Sequence, residues 1–82
     1  MQKNYVIFKI PSLSVNESFA RAAVAAFCSI LNPTISEIND IKTAVSEAVT
    51  NAVIHGYENT VGEIEISCKI KGQIVEVIIE DF

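Results

Sequence analysis

The side chains best suited to chemistry lie near the middle of the chain, where Glu47, Asn51 and His55 follow one another at intervals of four. On a helix with about 100° per residue, each interval advances by only ~40°, so the three side chains share one stripe. A carboxylate can take a proton from a nucleophile, and an amide oxygen is a neutral ligand for Mg²⁺. The stripe is a candidate site for both, although a helix side that only faces water would show the same spacing.

A second carboxylate that could take part is Asp81, near the end of the sequence. It continues an alternating strand pattern whose apolar members are Val75, Val77 and Ile79, which places it at the edge of the predicted core. A carboxylate there is costly without a partner, and a helix N-terminus or a polar ligand would satisfy it. Asp81 and the helix stripe could therefore border one cleft, and a strand-end Asp that faces water is the alternative.

The hydrophobic pattern predicts the strands that must support these residues. Residues 4–10 alternate so that Val6, Phe8 and Ile10 lie on one face of a first strand, which Pro11 stops. Residues 63–81 form a hairpin in which alternate residues of each strand share an apolar face, and Gly72-Gln73 at its centre is typical of a type II′ turn.

Two helices are predicted between the first strand and the hairpin. Capping boxes with the pattern Ser/Thr-x-x-Glu mark both helix starts. The residues concerned are Ser14 with Glu17 and Thr34 with Glu37. The first helix extends to about Leu31, and the second reaches His55 with Gly56 as its C-terminal stop. The order β-α-α-β-β, with one apolar face per strand, predicts an α+β fold in which both helices cover one side of an open sheet.

The first helix is apolar nearly all the way round, which indicates a second interface with a copy of the chain or with another protein. Glu17 and Arg21 are four apart on it and are predicted to form an ion pair on the exposed side. A single domain over residues 1–82 is expected to need such support, because one core of this size supplies only ~3–5 kcal/mol.

Composition excludes several classes of function. The net charge is −4 and the six basic residues are scattered along the sequence, which argues against nucleic acid as a partner. The longest apolar run, residues 22–28, is too short for a membrane span, and no signal-peptide core follows Met1, so a cytoplasmic protein is expected. The three glycines are too far apart for a phosphate-binding glycine loop. Cys28 and Cys68 are predicted to be buried free thiols rather than metal ligands or a disulfide.

Residues 47–57, Glu-Ala-Val-Thr-Asn-Ala-Val-Ile-His-Gly-Tyr, resemble the N-box of the GHKL ATPase and kinase superfamily, whose nucleotide site is built without a glycine loop of the P-loop kind. Together with residues 16–21 and 41–51, they make the chain similar to the anti-sigma factor serine kinases of spore-forming bacteria over roughly residues 5–81. The resemblance implies a Bergerat-type two-layer sandwich that binds ATP and Mg²⁺.

The resemblance also implies a role for each candidate residue. Glu47 would be the general base for the substrate serine, Asn51 would hold Mg²⁺ and the ATP phosphates, and Asp81 would accept a hydrogen bond from the adenine amino group. Glu17 and Arg21 would lie on the surface that binds a sigma factor. The implied partners are that sigma factor, an anti-anti-sigma factor as the phosphorylated substrate, and a second copy of the chain.

The sequence departs from the family pattern at its end. The family continues after the equivalent of Asp81 with D-x-G-x-G and an ATP lid, whereas this sequence stops at Phe82. It is therefore expected to be the N-terminal part of a kinase domain, without full activity of its own. Two alternatives stay open: a non-catalytic module for dimerisation and sigma binding, and a histidine kinase core, whose N-box usually lacks the His-Gly-Tyr ending.

Overall fold

The helices and strands follow one another in the predicted order in the computed structural model, which describes residues 3–55 and 61–82. The main elements are β1 (Asn4–Pro11), α1 (Glu17–Cys28), α2 (Ile35–His55), β2 (Glu63–Lys71) and β3 (Ile74–Asp81). Short 3₁₀ turns at Ser14–Asn16 and Ser29–Leu31 flank α1. The predicted stop of the second helix at Gly56 lies outside the described residues.

The three strands form one antiparallel sheet in the order β1-β2-β3, so that β2 lies at its centre. Two residues join β2 to β3. Gly72 has a φ of +63°, while Gln73 is not among the residues with positive φ. A positive φ at the first central position alone is the requirement of a type II′ turn, which confirms the predicted hairpin.

The core lies between the sheet and the two helices, as predicted for an α+β sandwich. One face of β2 is fully buried, and its four side chains meet small and branched residues from both helices. The buried apolar residues common to this core are Ile10, Ala20, Val24, Cys28, Val45, Val49, Ala52, Ile64, Ile66 and Cys68. Because β2 is paired on both edges and covered on this face, its side chains are the most completely removed from water.

Both cysteines are free thiols buried in this core, as the sequence predicts. Burial raises the pKa of Cys28 above its ordinary value. Burial and, to a smaller extent, the neighbouring Cys28 raise the pKa of Cys68 to about 11. Both groups therefore stay protonated at neutral pH and behave as small apolar side chains.

The first predicted capping box is wrong. Residues Ser14–Asn16 form a 3₁₀ turn, so Ser14 lies a full turn ahead of α1, and no side chain caps this turn or the start of α1. The side-chain amide of Asn16 donates instead to the carbonyl oxygen of Pro11 at 2.9 Å. The Glu17 carboxylate turns towards Arg21 on the next turn, which removes the second half of the predicted box.

The second predicted capping box is confirmed. The Thr34 hydroxyl accepts a hydrogen bond from the Glu37 backbone N–H at 3.1 Å, and the Glu37 carboxylate accepts one from the Thr34 backbone N–H at 2.8 Å. These bonds lower the pKa of Glu37, the backbone bond most. Asn32, whose backbone is left-handed with a φ of 52°, lies three residues before the start of α2 at Ile35. The start of the helix that carries the candidate site is thus fixed by two reciprocal bonds.

Replacing Thr34 by alanine is expected to destabilise the protein by about 0.5–2 kcal/mol, because the first turn of α2 loses its cap. Urea unfolding of the protein measures this change. Thr34→Ser should retain most of the stability, and Ser14→Ala should have little effect since Ser14 caps no helix. The stabilisation from the Glu37 carboxylate should persist above its ordinary pKa and be lost as pH falls through its lowered folded pKa. A Ser14→Ala loss equal to that of Thr34→Ala would contradict the assignment.

The outer side of α1 is apolar and exposed, as the sequence predicts. Val15, just before the helix, is 74% exposed, and Phe19 is 57% exposed although its ring makes an edge-on contact with Phe8. Ile30, just after the helix, is 47% exposed. None of the helices within residues 3–55 is long and apolar enough to cross a membrane.

Candidate functional site

Polar side chains line one side of α2 along most of its length. Asn39, Thr43, Ser46 and Thr50 recur at intervals of four, three and four residues, which is the spacing of a continuous stripe on a helix. Two open grooves lie along this stripe, and Ser46 and Glu47 line both of them. We call them the first groove, which reaches α1, and the second groove, which contains Asn51.

The second groove brings Glu47 and Asn51 together, with Ser46 and Thr50 as the other lining residues. Both side chains are exposed, and four residues of helix separate them by about 6 Å along the axis. The predicted sharing of one helix face is therefore confirmed for this pair. The third member of the predicted stripe, His55, ends α2, and its side chain lies outside the described part of the chain.

The predicted ion pair between Glu17 and Arg21 is present, with 3.6 Å between Arg21 Nη1 and Glu17 Oε1. Arg21 does more than pair on the surface of α1, because it also lines the first groove opposite α2. The packing of α1 against α2 thus places the predicted sigma-binding residue and the predicted base, Glu47, in the walls of one groove of about 480 Å³.

Sequence reasoning missed four other residues of the first groove. Lys42, Thr43 and Ser46 line it together with Asn39. At 100° per residue, Asn39, Thr43 and Ser46 form one stripe with Glu47 on one flank and Lys42 on the other, so the stripe could have been extended towards the N-terminus from spacing alone. Their position opposite Arg21 could not have been found in that way, since it depends on how the two helices pack.

Asp81 lies apart from the two polar grooves. It ends β3 opposite Ile64, and its side chain is exposed. The three preceding inward-facing residues of β3 line a separate apolar groove of about 460 Å³ against α2. That lining consists of Ile41, Ala44, Val45, Ala48, Val75, Val77 and Ile79. The single cleft expected between Asp81 and the helix stripe is thus replaced by polar and apolar grooves on neighbouring sides of α2, and Asp81 lines none of the three.

The second groove offers one amide oxygen, from Asn51, that could bind a magnesium ion carried by a phosphate ligand. Within the described residues the Asn51 amide makes no side-chain hydrogen bond, so its oxygen can serve as a ligand. No group of three or more His, Cys, Asp or Glu side chains among those residues could hold a metal alone. Mg²⁺ commonly takes few protein ligands and completes its shell with phosphate oxygens and water, which agrees with one amide in an open groove.

Three relatives with similar sequences share the name anti-sigma F factor. The chain is 54% identical to the anti-sigma F factor of Clostridium kluyveri (strain ATCC 8527) over 81 residues, which are 99% of this chain and 57% of that protein. It is 60% identical to the anti-sigma F factor of Thermoanaerobacter sp. (strain X514) over 70 residues, 85% of this chain and 49% of that protein. For the anti-sigma F factor of Bacillus licheniformis the identity is 52% over 80 residues, 96% of this chain and 55% of that protein.

The chain thus spans about half the length of these relatives. Residues 10–82 of the chain also match the model of a wider family, which is described as the histidine kinase-like ATPase domain. The match begins within β1 and includes both helices, both grooves and the hairpin. The observed α+β sandwich agrees with it. The chain belongs to the histidine kinase-like ATPase domain family.

Proposed function

We propose that the protein is an anti-sigma factor that is also an ATP-dependent serine protein kinase. The observation that carries the proposal is the pairing of Glu47 and Asn51 in one open groove on α2 of a histidine kinase-like ATPase domain. In this proposal the described chain supplies Glu47 and Asn51 to the nucleotide site of the kinase domain.

Each residue acts through ordinary chemistry in the proposed reaction. The Glu47 carboxylate accepts the proton of the substrate serine as its oxygen attacks the terminal phosphate. The Asn51 amide oxygen holds Mg²⁺, and the bound metal neutralises charge on the phosphates. Asp81 accepts a hydrogen bond from the adenine amino group. Phosphoryl transfer depends mostly on positioning and on charge stabilisation, so a carboxylate and an amide one helical turn apart are a sufficient contribution from this chain.

The proposed partners follow from the similar proteins and from the surface of α1. All three relatives are named as anti-sigma F factors, and Glu17 with Arg21 offers a polar contact on α1 for a sigma factor. The phosphorylated substrate is an anti-anti-sigma factor, and the cell compartment is the cytoplasm. The exposed apolar residues Val15, Phe19 and Ile30 support a homodimer, because a second copy would remove them from water.

A non-catalytic module for dimerisation and sigma binding is the second candidate. The same exposed apolar side of α1 favours it, since that surface requires no nucleotide chemistry. A histidine kinase core receives less support, because relatives at 52–60% identity are named as anti-sigma F factors.

Replacing Asn51 by alanine in the full-length protein is expected to weaken Mg²⁺-dependent ATP binding by about 10–100-fold, as the loss of a charge-assisted contact implies. Calorimetric titration with Mg²⁺ and ATP gives the affinity. Asn4→Ala at the start of β1 is the matched control, and its ATP affinity should equal that of the unchanged protein. Equal affinities for all three proteins would remove Asn51 from the nucleotide site.

The type of phosphorylated residue separates the candidate functions. The full-length protein is incubated with Mg²⁺, ATP and the anti-anti-sigma factor of the same organism, and the products are analysed by mass spectrometry. Phosphoserine on the added protein supports the serine kinase. Phosphohistidine would instead indicate a histidine kinase, and sigma binding without any phosphoryl transfer would indicate the non-catalytic module.

A further inference from the structure

The first groove contains a basic residue that neither the sequence pattern nor the proposed chemistry uses. Lys42 lines it with Arg21, and Glu47 lines the same groove. Within the described residues Lys42 forms no ion pair, whereas Arg21 lies 3.6 Å from the Glu17 carboxylate. Since Glu17 offsets much of the charge of Arg21, Lys42 is the main source of positive charge in this groove.

Positive and negative charges line different parts of the first groove. Positive charge lies at Lys42 and Arg21, and negative charge lies at Glu47, where the second groove begins. The side chains between them, Thr43 and Ser46, are hydroxyls that can donate or accept hydrogen bonds without adding charge. A segment that entered along this path would meet a cation first and the candidate base afterwards.

The spacing along α2 sets the length of such a segment. Lys42 and Glu47 are five residues apart, which is about 7.5 Å along the helix axis and about 140° around it, so their Cα atoms are roughly 9 Å apart. An extended peptide advances about 3.3 Å per residue, so about three of its residues cover that distance, or two where the long Lys42 side chain bends towards Glu47. An acidic side chain two or three positions from the reacting serine would therefore reach the Lys42 ammonium while the serine hydroxyl lies at Glu47.

We propose that Lys42 is a specificity-determining residue for the protein substrate and selects a serine with an aspartate or glutamate two or three positions away. This inference rests on the proposed serine kinase function and adds the sequence class of its substrate. Lys42 acts on substrate affinity rather than on the phosphoryl transfer step, because its contact lies about one and a half helical turns from Glu47. In the proposal, Arg21 remains the contact for the sigma factor.

Reversing the charge at this position tests the inference. In the full-length protein, Lys42→Glu is expected to raise the KM for the anti-anti-sigma factor about ten-fold or more, with kcat changed less than two-fold, because a charge-assisted contact is replaced by repulsion. Phosphorylation rates measured against substrate concentration give both constants. The KM of the unchanged protein should rise with salt more steeply than that of the variant.

Two controls make the result specific. Lys69→Glu has the same charge change on β2, away from the groove, and its KM should match that of the unchanged protein. A substrate whose acidic residues within three positions of the phosphorylated serine are replaced by lysine should be a poor substrate for the unchanged protein. The Lys42→Glu variant should phosphorylate this altered substrate with a restored KM.

The outcomes distinguish the inference from the function on which it rests. Phosphorylation by the unchanged protein, with equal KM values for the two lysine variants, would overturn the role of Lys42 and leave the kinase intact. A natural substrate without any acidic residue within three positions of its serine would overturn it as well. Absence of phosphorylation by the unchanged protein would overturn the proposed function, and the inference with it.

Discussion

Replacing Glu47 by glutamine is expected to slow phosphoryl transfer to serine by about 10²–10⁴-fold, the range associated with loss of a general base. Glutamine keeps the size of the side chain and its place on α2 but cannot accept the serine proton. ATP affinity should stay nearly unchanged, because Asn51 holds the phosphates in the proposed site. Single-turnover phosphorylation of the anti-anti-sigma factor measures the rate, and calorimetry measures the affinity.

A glutamate elsewhere on the surface provides the comparison for Glu47. Glu76→Gln makes the same chemical change on β3, at an exposed position of the sheet. Its phosphorylation rate should equal that of the unchanged protein, and sigma binding should be retained by both variants. A Glu47→Gln enzyme with an unchanged rate would refute the assignment of the base and would leave proton transfer to another group or to water.

Much of the fold could be predicted because its signals are local. Alternation along residues 63–81 identifies the hairpin, and Gly72 supplies the positive φ that its turn needs. The capping box at Thr34 fixes the start of α2, since both of its bonds lie within four residues of one another. The shared face of Glu47 and Asn51 follows from the helical period alone.

What could not be predicted depends on contacts between distant residues. Ser14 has the sequence of a helix cap, but the chain leaving β1 forms a 3₁₀ turn there, and the Asn16 amide bonds back to Pro11. Close by, just before β2 begins, the Ser12 hydroxyl accepts a hydrogen bond from the Gly62 N–H at 2.8 Å, a contact across fifty positions that no spacing rule reveals.

The candidate site, like the fold, could be predicted only in part from the sequence. Glu47 and Asn51 were identified from their spacing, whereas the first groove was not, because it requires Arg21 of α1 to lie opposite Lys42 of α2. The basic residues look scattered in the sequence, yet the fold brings two of them to one groove. Charge patterns along a chain therefore say little about local charge until the packing of the helices is known.

Replacing Ile66 by alanine is expected to destabilise the protein by about 2–5 kcal/mol, which is the usual range for such a truncation in a well-packed core. Ile66 is fully buried on the central strand, between Phe8 on β1 and Ile79 on β3. The cavity would open beneath both helices, where neighbouring strands on each side limit relaxation. Urea unfolding followed by circular dichroism gives the free energy of unfolding.

The other face of the sheet provides the matched control. Ile7 is on the neighbouring strand β1 and is 53% exposed, so Ile7→Ala removes the same atoms from a site already open to water. Its cost should be less than about 1 kcal/mol, in the range of most exposed positions. If Ile66→Ala fails to fold, Ile66→Val should still lose about 0.5–1.5 kcal/mol. Equal losses for Ile7→Ala and Ile66→Ala would mean that the helices do not cover the sheet face on which the core and the site depend.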